Sequence, residues 1–245
     1  MPSLSAYKSE LDYSYAPGLF PSMECLRHRP ELVRRVLIHS EAIGRPGVEK
    51  LTSLAEEKRI RIEKADRALA RLSGKENCYA AAVFSKFRDE IRPEENHVVL
   101  HQPSDCGNVG TILRTALGFG VENLVLIRPC ADPFDPRTVR ASMGSLFQLR
   151  IRMTERFEEY LGENGGRAIY PFMLDASVPL GEALRTREKG KPWTLVFGNE
   201  GSGLPASFAS VGQPVRIPSN DRVDSLNLAI AAGIGIFAFT TGCSG

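Results

Sequence analysis

From His97 onward the chain carries short apolar runs with almost no polar alternation: Val98-Val99-Leu100, Leu124-Val125-Leu126-Ile127, Ala168-Ile169-Tyr170, Thr194-Leu195-Val196-Phe197 and Val215-Arg216-Ile217. A strand with one wet face alternates, so such runs are strands covered on both faces, as in a parallel sheet between helices. The intervening segments supply those helices. Val109, Ile112, Leu113, Ala116 and Leu117 fall at i, i+3, i+4, i+7 and i+8, giving one apolar stripe from which Arg114 points away.

The residues before this region form a smaller α/β pattern. Helix is expected over 23–26, 48–57 and 65–72, and strand over 33–38, 59–62 and 79–84. Between Arg88 and Asn96 the composition shifts to RDEIRPEEN, poor in apolar residues and carrying Pro93, which disfavours helix in the residue before it. Two domains are therefore expected, 1–90 and 96–245, and 245 residues suffice for each to bury a core.

Composition removes several classes. The apolar run 228–239 is shorter than the ~20 residues of a spanning helix and contains Gly233 and Gly235, so it reads as a buried helix and a candidate dimer interface, not a membrane segment. The N-terminus lacks the apolar core of a secretory signal, making the cytoplasm the default expectation. Cys25, Cys78, Cys106, Cys130 and Cys243 are odd in number and include no C-x-x-C pair, and the four histidines form no H-E-x-x-H, so no disulfide framework and no metal site is expected. With 31 Lys+Arg against 29 Asp+Glu, charge alone does not argue for a polyanionic partner. Arg27, His28, Arg29, Arg34 and Arg35 cluster, as do Arg137 and Arg140; each group reads equally as a solvated face or as phosphate contacts.

Ligands of open α/β sheets gather at the carboxyl ends of the strands, where three loops stand out. The first, Asp105-Cys106-Gly107-Asn108-Val109-Gly110, opens the helix carrying Arg114; locally, Asn108 reads as well as an N-cap, and Arg114 as a solvated arginine. The second, Gly198-Asn199-Glu200-Gly201-Ser202-Gly203-Leu204-Pro205, fits neither G-x-G-x-x-G nor a P-loop, so a dinucleotide-binding dehydrogenase is a weak reading. The third runs from Ile217-Pro218 to Ser225-Leu226-Asn227, with Asp224 or Ser225 expected to cap the apolar helix.

Taken in order, Asn108-x-Gly110-x-x-x-Arg114, Phe197-Gly198-Asn199-Glu200-Gly201-Ser202-Gly203-Leu204, and Ile217-Pro218 followed by Ser225-Leu226-Asn227 resemble the three motifs of the SpoU (TrmH-type) RNA 2′-O-ribose methyltransferases of the SPOUT superfamily. Val139-Arg140-Ala141-Ser142-Met143-Gly144-Ser145-Leu146-Phe147 resembles the segment between the first two motifs. More loosely, Gly18-Leu19-Phe20, Leu72-Ser73-Gly74 and the strand 79–84 resemble the family's ribosomal-protein-like substrate-binding domain.

The resemblance implies a trefoil-knotted α/β methyltransferase domain with a parallel sheet, behind a smaller N-terminal α/β domain that binds RNA. It also implies S-adenosylmethionine held by the second and third motif loops, a homodimer, and methyl transfer to a ribose 2′-hydroxyl of tRNA or rRNA. By carry-over the cofactor positions are Leu174, Gly198, Glu200, Gly201, Ile217, Ser225, Leu226 and Asn227; the catalytic or structuring positions are Asn108, Arg114, Glu200, Ser225 and Asn227. A guanidinium holds its proton above pH ~12, so Arg114 is expected to clamp phosphate and stabilise the developing oxyanion, not to act as base. Glu200 is expected to hold the glycine-rich loop or Arg114, with Asn108 positioning Arg114 or the ribose.

Ser219-Asn220-Asp221-Arg222 departs from the Met and Gly common in relatives, and Asn220 or Asp221 is expected to supply the left-handed residue. A knotted base-nitrogen methyltransferase and a non-catalytic RNA-binding protein are the alternatives; the pairing of Asn108 with Arg114 argues against the first and the intact polar motif residues against the second.

Overall fold

A computed structural model describes residues 6–73, 78–176, 178–220 and 222–242. The chain separates into two compact units, one of Met1–Phe87 with Asp132–Gln148 and one of Arg88–Ala131 with Leu149–Gly245.

The first unit begins with β1 (Tyr13–Pro17), α1 (Leu19–His28), β2 (Val33–Ile38), α2 (Pro46–Glu57), β3 (Ile62–Lys64), α3 (Asp66–Ser73) and β4 (Ala80–Ser85). The sheet order is β1-β4-β2-β3, with β4 antiparallel to β1 and β2, and β3 parallel to β2. Central β4, Ala-Ala-Ala-Val-Phe, is buried along that whole stretch, and its small side chains let α1 lie close on the sheet. Tyr15, Leu37, Leu69, Ala81 and Val83 form the core, and each large apolar side chain removed from water stabilises by about 1.5–3 kcal/mol. The strand expected at 59–62 starts later, because Arg59 takes φ 57° on leaving α2 and pairing begins at Ile62. β1 has no counterpart among the expected strands.

The second unit opens with β5 (His97–His101), α4 (Cys106–Gly118) and β6 (Asn123–Ile127). The chain then leaves it for Asp132–Gln148, which carries α5 (Pro136–Ala141) and clusters with the first unit. This corrects the expected continuous domain 96–245. Phe147 and Phe134 pack their rings on Phe84 and Phe87 (centroids 4.9 and 5.1 Å), and a Cβ on Gly144 would meet Glu24 Cβ at 2.7 Å. The segment's large apolar groups are therefore buried among residues of the first unit.

The chain continues with β7 (Arg150–Thr154), α6 (Phe157–Glu163), β8 (Ala168–Pro171), β9 (Val178–Pro179), α7 (Leu180–Thr186), β10 (Trp193–Phe197), β11 (Val215–Arg216) and α8 (Leu228–Thr241). The main sheet is parallel throughout, in the order β7-β6-β5-β10-β8. Its edge strand β7 alternates part-buried Arg150 and Arg152 with Ile151 and Met153, and has no counterpart among the expected strands. The run at 215–217 belongs instead to a separate pair, β9 with β11. Helix α8 comes close to the sheet through Gly235, where a Cβ would stand 2.8 Å from Phe172 and 2.9 Å from Phe197. Among the described residues no helix is long and apolar enough to cross a membrane.

Candidate active site

The site is built at the carboxyl end of the parallel sheet. Beyond β5, Gln102 takes φ 55° and turns the chain towards α4, whose N-cap is Asp105, accepting from the Asn108 amide at 2.7 Å. Asn108 is thus not the cap, and its side chain reaches sideways. Its Nδ2 donates to Glu200 Oε1 (3.1 Å) and its Oδ1 accepts from Asn227 Nδ2 (3.1 Å).

Glu200 also accepts from the Ser104 amide (2.9 Å), the Ser104 hydroxyl (2.8 Å) and the Asp105 amide (3.1 Å). Burial pushes its carboxyl up, but the Ser104 amide, the Asn108 side chain and the Ser104 hydroxyl overcome that and bring its pKa down to about 2. At neutral pH Glu200 is a carboxylate whose lone pairs are engaged. It is a fastener, and a poor proton acceptor.

Asn227 caps α8, accepting from the Ala229 and Ile230 amides at 2.9 and 3.3 Å, which corrects the expectation of Asp224 or Ser225. The helix starts at Leu228, so only Asn227 is placed to reach its second and third amides. Asn227, Asn108, Glu200 and Ser104 thereby form one hydrogen-bonded relay joining all three motif loops. Ser104 was not singled out from sequence, because a serine in a polar loop carries no local signal.

The glycine-rich loop closes on itself. Asn199 and Gly203 exchange backbone hydrogen bonds (3.2 and 2.9 Å), Asn199 Oδ1 accepts from the Gly201 and Ser202 amides, and Asn199 Nδ2 donates to the Gln102 carbonyl at 2.8 Å. Gly203 has φ +67°, and a Cβ on Gly198 would stand 2.2 Å from the Gly203 carbonyl carbon, so neither position accepts a side chain without reshaping the loop.

Beside this loop lies a cleft of about 370 Å³, the lower end of the range for small-molecule sites. Of the expected cofactor residues, Leu174, Gly198, Glu200, Gly201, Ile217, Ser225 and Leu226 line it, whereas Asn227 serves the helix cap. Phe172, Phe197, Val215 and Arg216 line it as well. Asn108 stands behind the loop wall, and Arg114 is exposed on α4 and is not among the lining residues. Among the described residues the Arg114 side chain makes no hydrogen bond or ion pair, and no cluster of His, Cys, Asp or Glu is placed to hold a metal. In the third loop Asn220 does not have positive φ; its Oδ1 accepts from the Arg222 amide at 3.0 Å, while Asp221 lies outside the described residues, as do Gly74 and Cys243.

The basic cluster of the first unit is largely committed to its own fold. Arg27 and His28 face Glu24 (2.8 and 3.3 Å), Arg34 pairs with Asp12 (2.7 Å) and Arg35 with Glu63 (3.1 Å), while Arg29 donates to the Phe147 carbonyl. Arg137 is bound to Asp135 at 2.9 Å.

Residues 95–237 match the model of the SpoU rRNA Methylase family, more than half of the chain. The chain belongs to this family. A Bacillus subtilis relative, 23S rRNA (guanosine(2553)-2′-O)-methyltransferase RlmP, is 27% identical over 218 residues, 80% of this chain and 83% of that protein. An uncharacterized tRNA/rRNA methyltransferase of Synechocystis is 35% identical over 142 residues, 57% of this chain; the match spans only 51% of that relative's length. The crystal structure of an AdoMet-bound rRNA methyltransferase from Sinorhizobium meliloti superposes with a TM-score of 0.75 at 31% identity, covering 92% of this chain and 86% of that one. The parallel α/β sheet is therefore that of SpoU structures, and the three motif loops meet at its carboxyl end.

Proposed function

We propose that the protein transfers a methyl group from S-adenosylmethionine to a ribose 2′-hydroxyl of ribosomal or transfer RNA. One observation carries this reading: segments from the second and third motifs line a single cleft, and Glu200 ties its wall to the loop bearing Asn108. The lining suits that cofactor. Leu174 and Val223, each more than half exposed, offer apolar surface for a flat ring, the tight Gly198–Gly203 approach presents bare backbone, and Glu200 and Asp224 put negative charge in a cleft that would take a cation. Leu174, Gly198, Gly201, Ile217, Ser225 and Leu226 would hold it. When bound, S-adenosylmethionine supplies an electrophilic methyl group.

The chain's own part is to orient the ribose and manage charge. Arg114, exposed and uncommitted, clamps an adjacent phosphate and stabilises negative charge growing on the 2′-oxygen. It does not take the proton, and neither does Glu200, whose carboxyl is held at about 2. The proton passes to phosphate or water. Asn108, with both ends of its amide engaged, positions the loop wall rather than the ribose.

Homodimerisation through a trefoil-knotted domain is part of the proposal. Ile230 and Phe237 on α8 are more than half exposed, and Phe119 lies against Phe237 (5.6 Å). That is an apolar strip a second copy covers, which leaves Arg114 of one copy available to the cleft of the other. The first unit carries the RNA-recognition role, and relatives named as 23S rRNA methyltransferases favour ribosomal RNA.

The test is transfer of radiolabelled methyl from S-adenosylmethionine to unmodified total RNA, followed by nucleoside analysis. A 2′-O-methyl nucleoside is expected. A base-methylated nucleoside, or no incorporation together with no calorimetric cofactor binding, would overturn the reading.

A further inference from the structure

We propose that one end of the first unit's sheet, bearing Phe20, Ile43, Arg45 and Tyr79, is a stacking platform for an unpaired nucleobase of the substrate RNA. The inference rests on the RNA methyltransferase reading above and adds to it where, and in what form, the RNA is gripped.

Three separate stretches of sequence meet there. The Gly18 amide donates to the Ala80 carbonyl (2.8 Å) and the His39 amide to the Tyr79 carbonyl (2.9 Å), which places the start of α1 and the end of β2 beside the head of β4. Gly47 lies so close to Leu19 that a Cβ would stand 2.8 Å from its Cδ1, so the first turns of α1 and α2 are neighbours. Phe20 and Ile43 are 50% and 53% exposed at this convergence. The Arg45 guanidinium sits over the Tyr79 ring, 4.2 Å from its centroid, and the His39 ring meets the same tyrosine edge-on at 6.1 Å.

Arg45 differs from the arginines that cluster in sequence between Arg27 and Arg35. It is exposed and, among the described residues, its side chain makes no ion pair or hydrogen bond and is held by its stack on Tyr79. A planar cation already held over an aromatic ring, at the same end of the sheet as the half-exposed Phe20, offers π faces on which a base can stack. Neither α1 nor α2 has a side-chain cap; with Pro21 and Pro46 lacking an N–H and the Ser22, Val48 and Glu49 amides bonded to the Gly18 and Arg45 carbonyls, the Leu19, Phe20 and Gly47 amides are the first-turn donors left for a phosphate flanking that base.

Charge is divided to match. The first unit holds 17 Lys+Arg against 13 Asp+Glu, the second 14 against 16. Glu41 and Glu49, close in sequence to Arg45, break up any continuous phosphate-binding stripe, so the surface favours splayed bases over duplex backbone.

The test compares the full-length protein with a Phe20→Ala/Arg45→Ala double variant. Fluorescence anisotropy with a mixed-sequence single-stranded RNA dodecamer and its duplex should show wild type preferring the single strand, and the double variant losing roughly tenfold or more of that affinity. Phe20→Tyr should retain the affinity, separating stacking from folding. In methyl transfer to total RNA the double variant should raise KM for RNA at least tenfold with kcat and cofactor affinity within twofold. Wild-type single-strand affinity in the double variant, as expected of a protein-docking patch, would overturn the platform while leaving methyl transfer standing, and so would a wild-type preference for duplex. A wild type that transfers no methyl and binds no RNA would instead overturn the reading beneath it.

Discussion

The two ends of the parallel sheet each carry a hydrogen-bonded polar network, to opposite effect. At the amino end, Arg167 is 8% exposed and donates to the carbonyls of Pro93 (3.0 Å), Glu95 (2.5 Å) and Trp193 (3.0 Å). His97, wholly buried, joins Tyr160 Oη and the Arg92 carbonyl, both at 2.9 Å, and Tyr160 meets Thr194 at 2.6 Å. At the carboxyl end, Glu200, Ser104, Asn108 and Asn227 are bonded to one another but only part-buried or exposed, with an open cleft beside them. Cleft size does not separate the ends: the amino end also has one, of about 440 Å³, lined by Glu94, Glu95, Glu122 and Glu188 with Arg187 and Lys191. The difference lies in what the bonds restrain. One network closes on the linker and the sheet and locks them, whereas the other shapes a loop wall and leaves backbone beside it exposed.

This contrast yields a double dissociation, with the greatest change expected at the locked end. Arg167→Ala removes a buried cation and leaves three carbonyls without its donors, so a loss of about 3–5 kcal/mol is expected in urea denaturation. Cofactor KM, measured where the variant remains folded, should stay within twofold. A tenfold change in KM without destabilisation would show that the amino end shapes the cleft after all.

Arg114→Ala should do the reverse. It removes an exposed group without partners among the described residues, so the melting temperature should hold while kcat for methyl transfer falls about 100- to 1000-fold, as when one transition-state donor is lost. Cofactor binding by calorimetry should change little. Wild-type turnover would remove Arg114 from the chemistry.

His97 sharpens the comparison through pH. Burial, then the charge of Arg167, lowers its pKa from 6.5 to about 4, so between these values the unfolded chain binds a proton that the folded chain refuses. The stability this confers is fully present above pH 6.5 and is lost as pH falls towards 4, in total about 3 kcal/mol. Comparing urea midpoints of wild type and His97→Gln across that window should reveal a slope that the variant lacks. Parallel profiles would mean that His97 is not kept neutral by its surroundings.

The same contrast explains what could be read from sequence. β5, β6 and β10, inside the sheet and buried almost throughout, are legible because burial on both faces writes itself as unbroken apolar runs, and the edge strand β8 is legible from its short run Ala168-Ile169-Tyr170 although it is only half buried. β7 alternates part-buried arginines with apolar residues and leaves no such trace, and Val215-Arg216-Ile217, with Arg216 exposed, pairs with β9 outside the main sheet. Asn108, Glu200 and Asn227 stood out through motif spacing, but their mutual bonding depends on loops 92 and 119 residues apart, which spacing does not encode. Ser104 offered no signal for the same reason. The Arg27 to Arg35 cluster reads equally as a solvated face or as phosphate contacts while charge is counted without partners; Asp12, Glu24 and Glu63 supply those partners. The segment 132–148 is one more case, since only three-dimensional packing on Phe84 and Phe87 assigns it to the first unit.

The smallest expected effect tests the relay itself. Glu200→Gln replaces one acceptor oxygen by an NH2 that must face Ser104, Asp105 or Asn108 donors, so the loop wall loosens without a buried charge being stranded. Because the carboxylate is only part-buried, stability should fall by no more than about 1 kcal/mol. The cleft should suffer more, with KM for S-adenosylmethionine rising roughly tenfold, about 1.4 kcal/mol. Wild type supplies its own control. With Glu200 ionised down to about 2, its contribution is present above the ordinary carboxylate value of 4.5 and lost only as pH falls through that lower value, so cofactor KM should be flat between pH 5 and 8. A KM that climbs as pH drops from 6 to 5 would mean that a group titrating near neutrality, and not this carboxylate, holds the glycine-rich loop against α4.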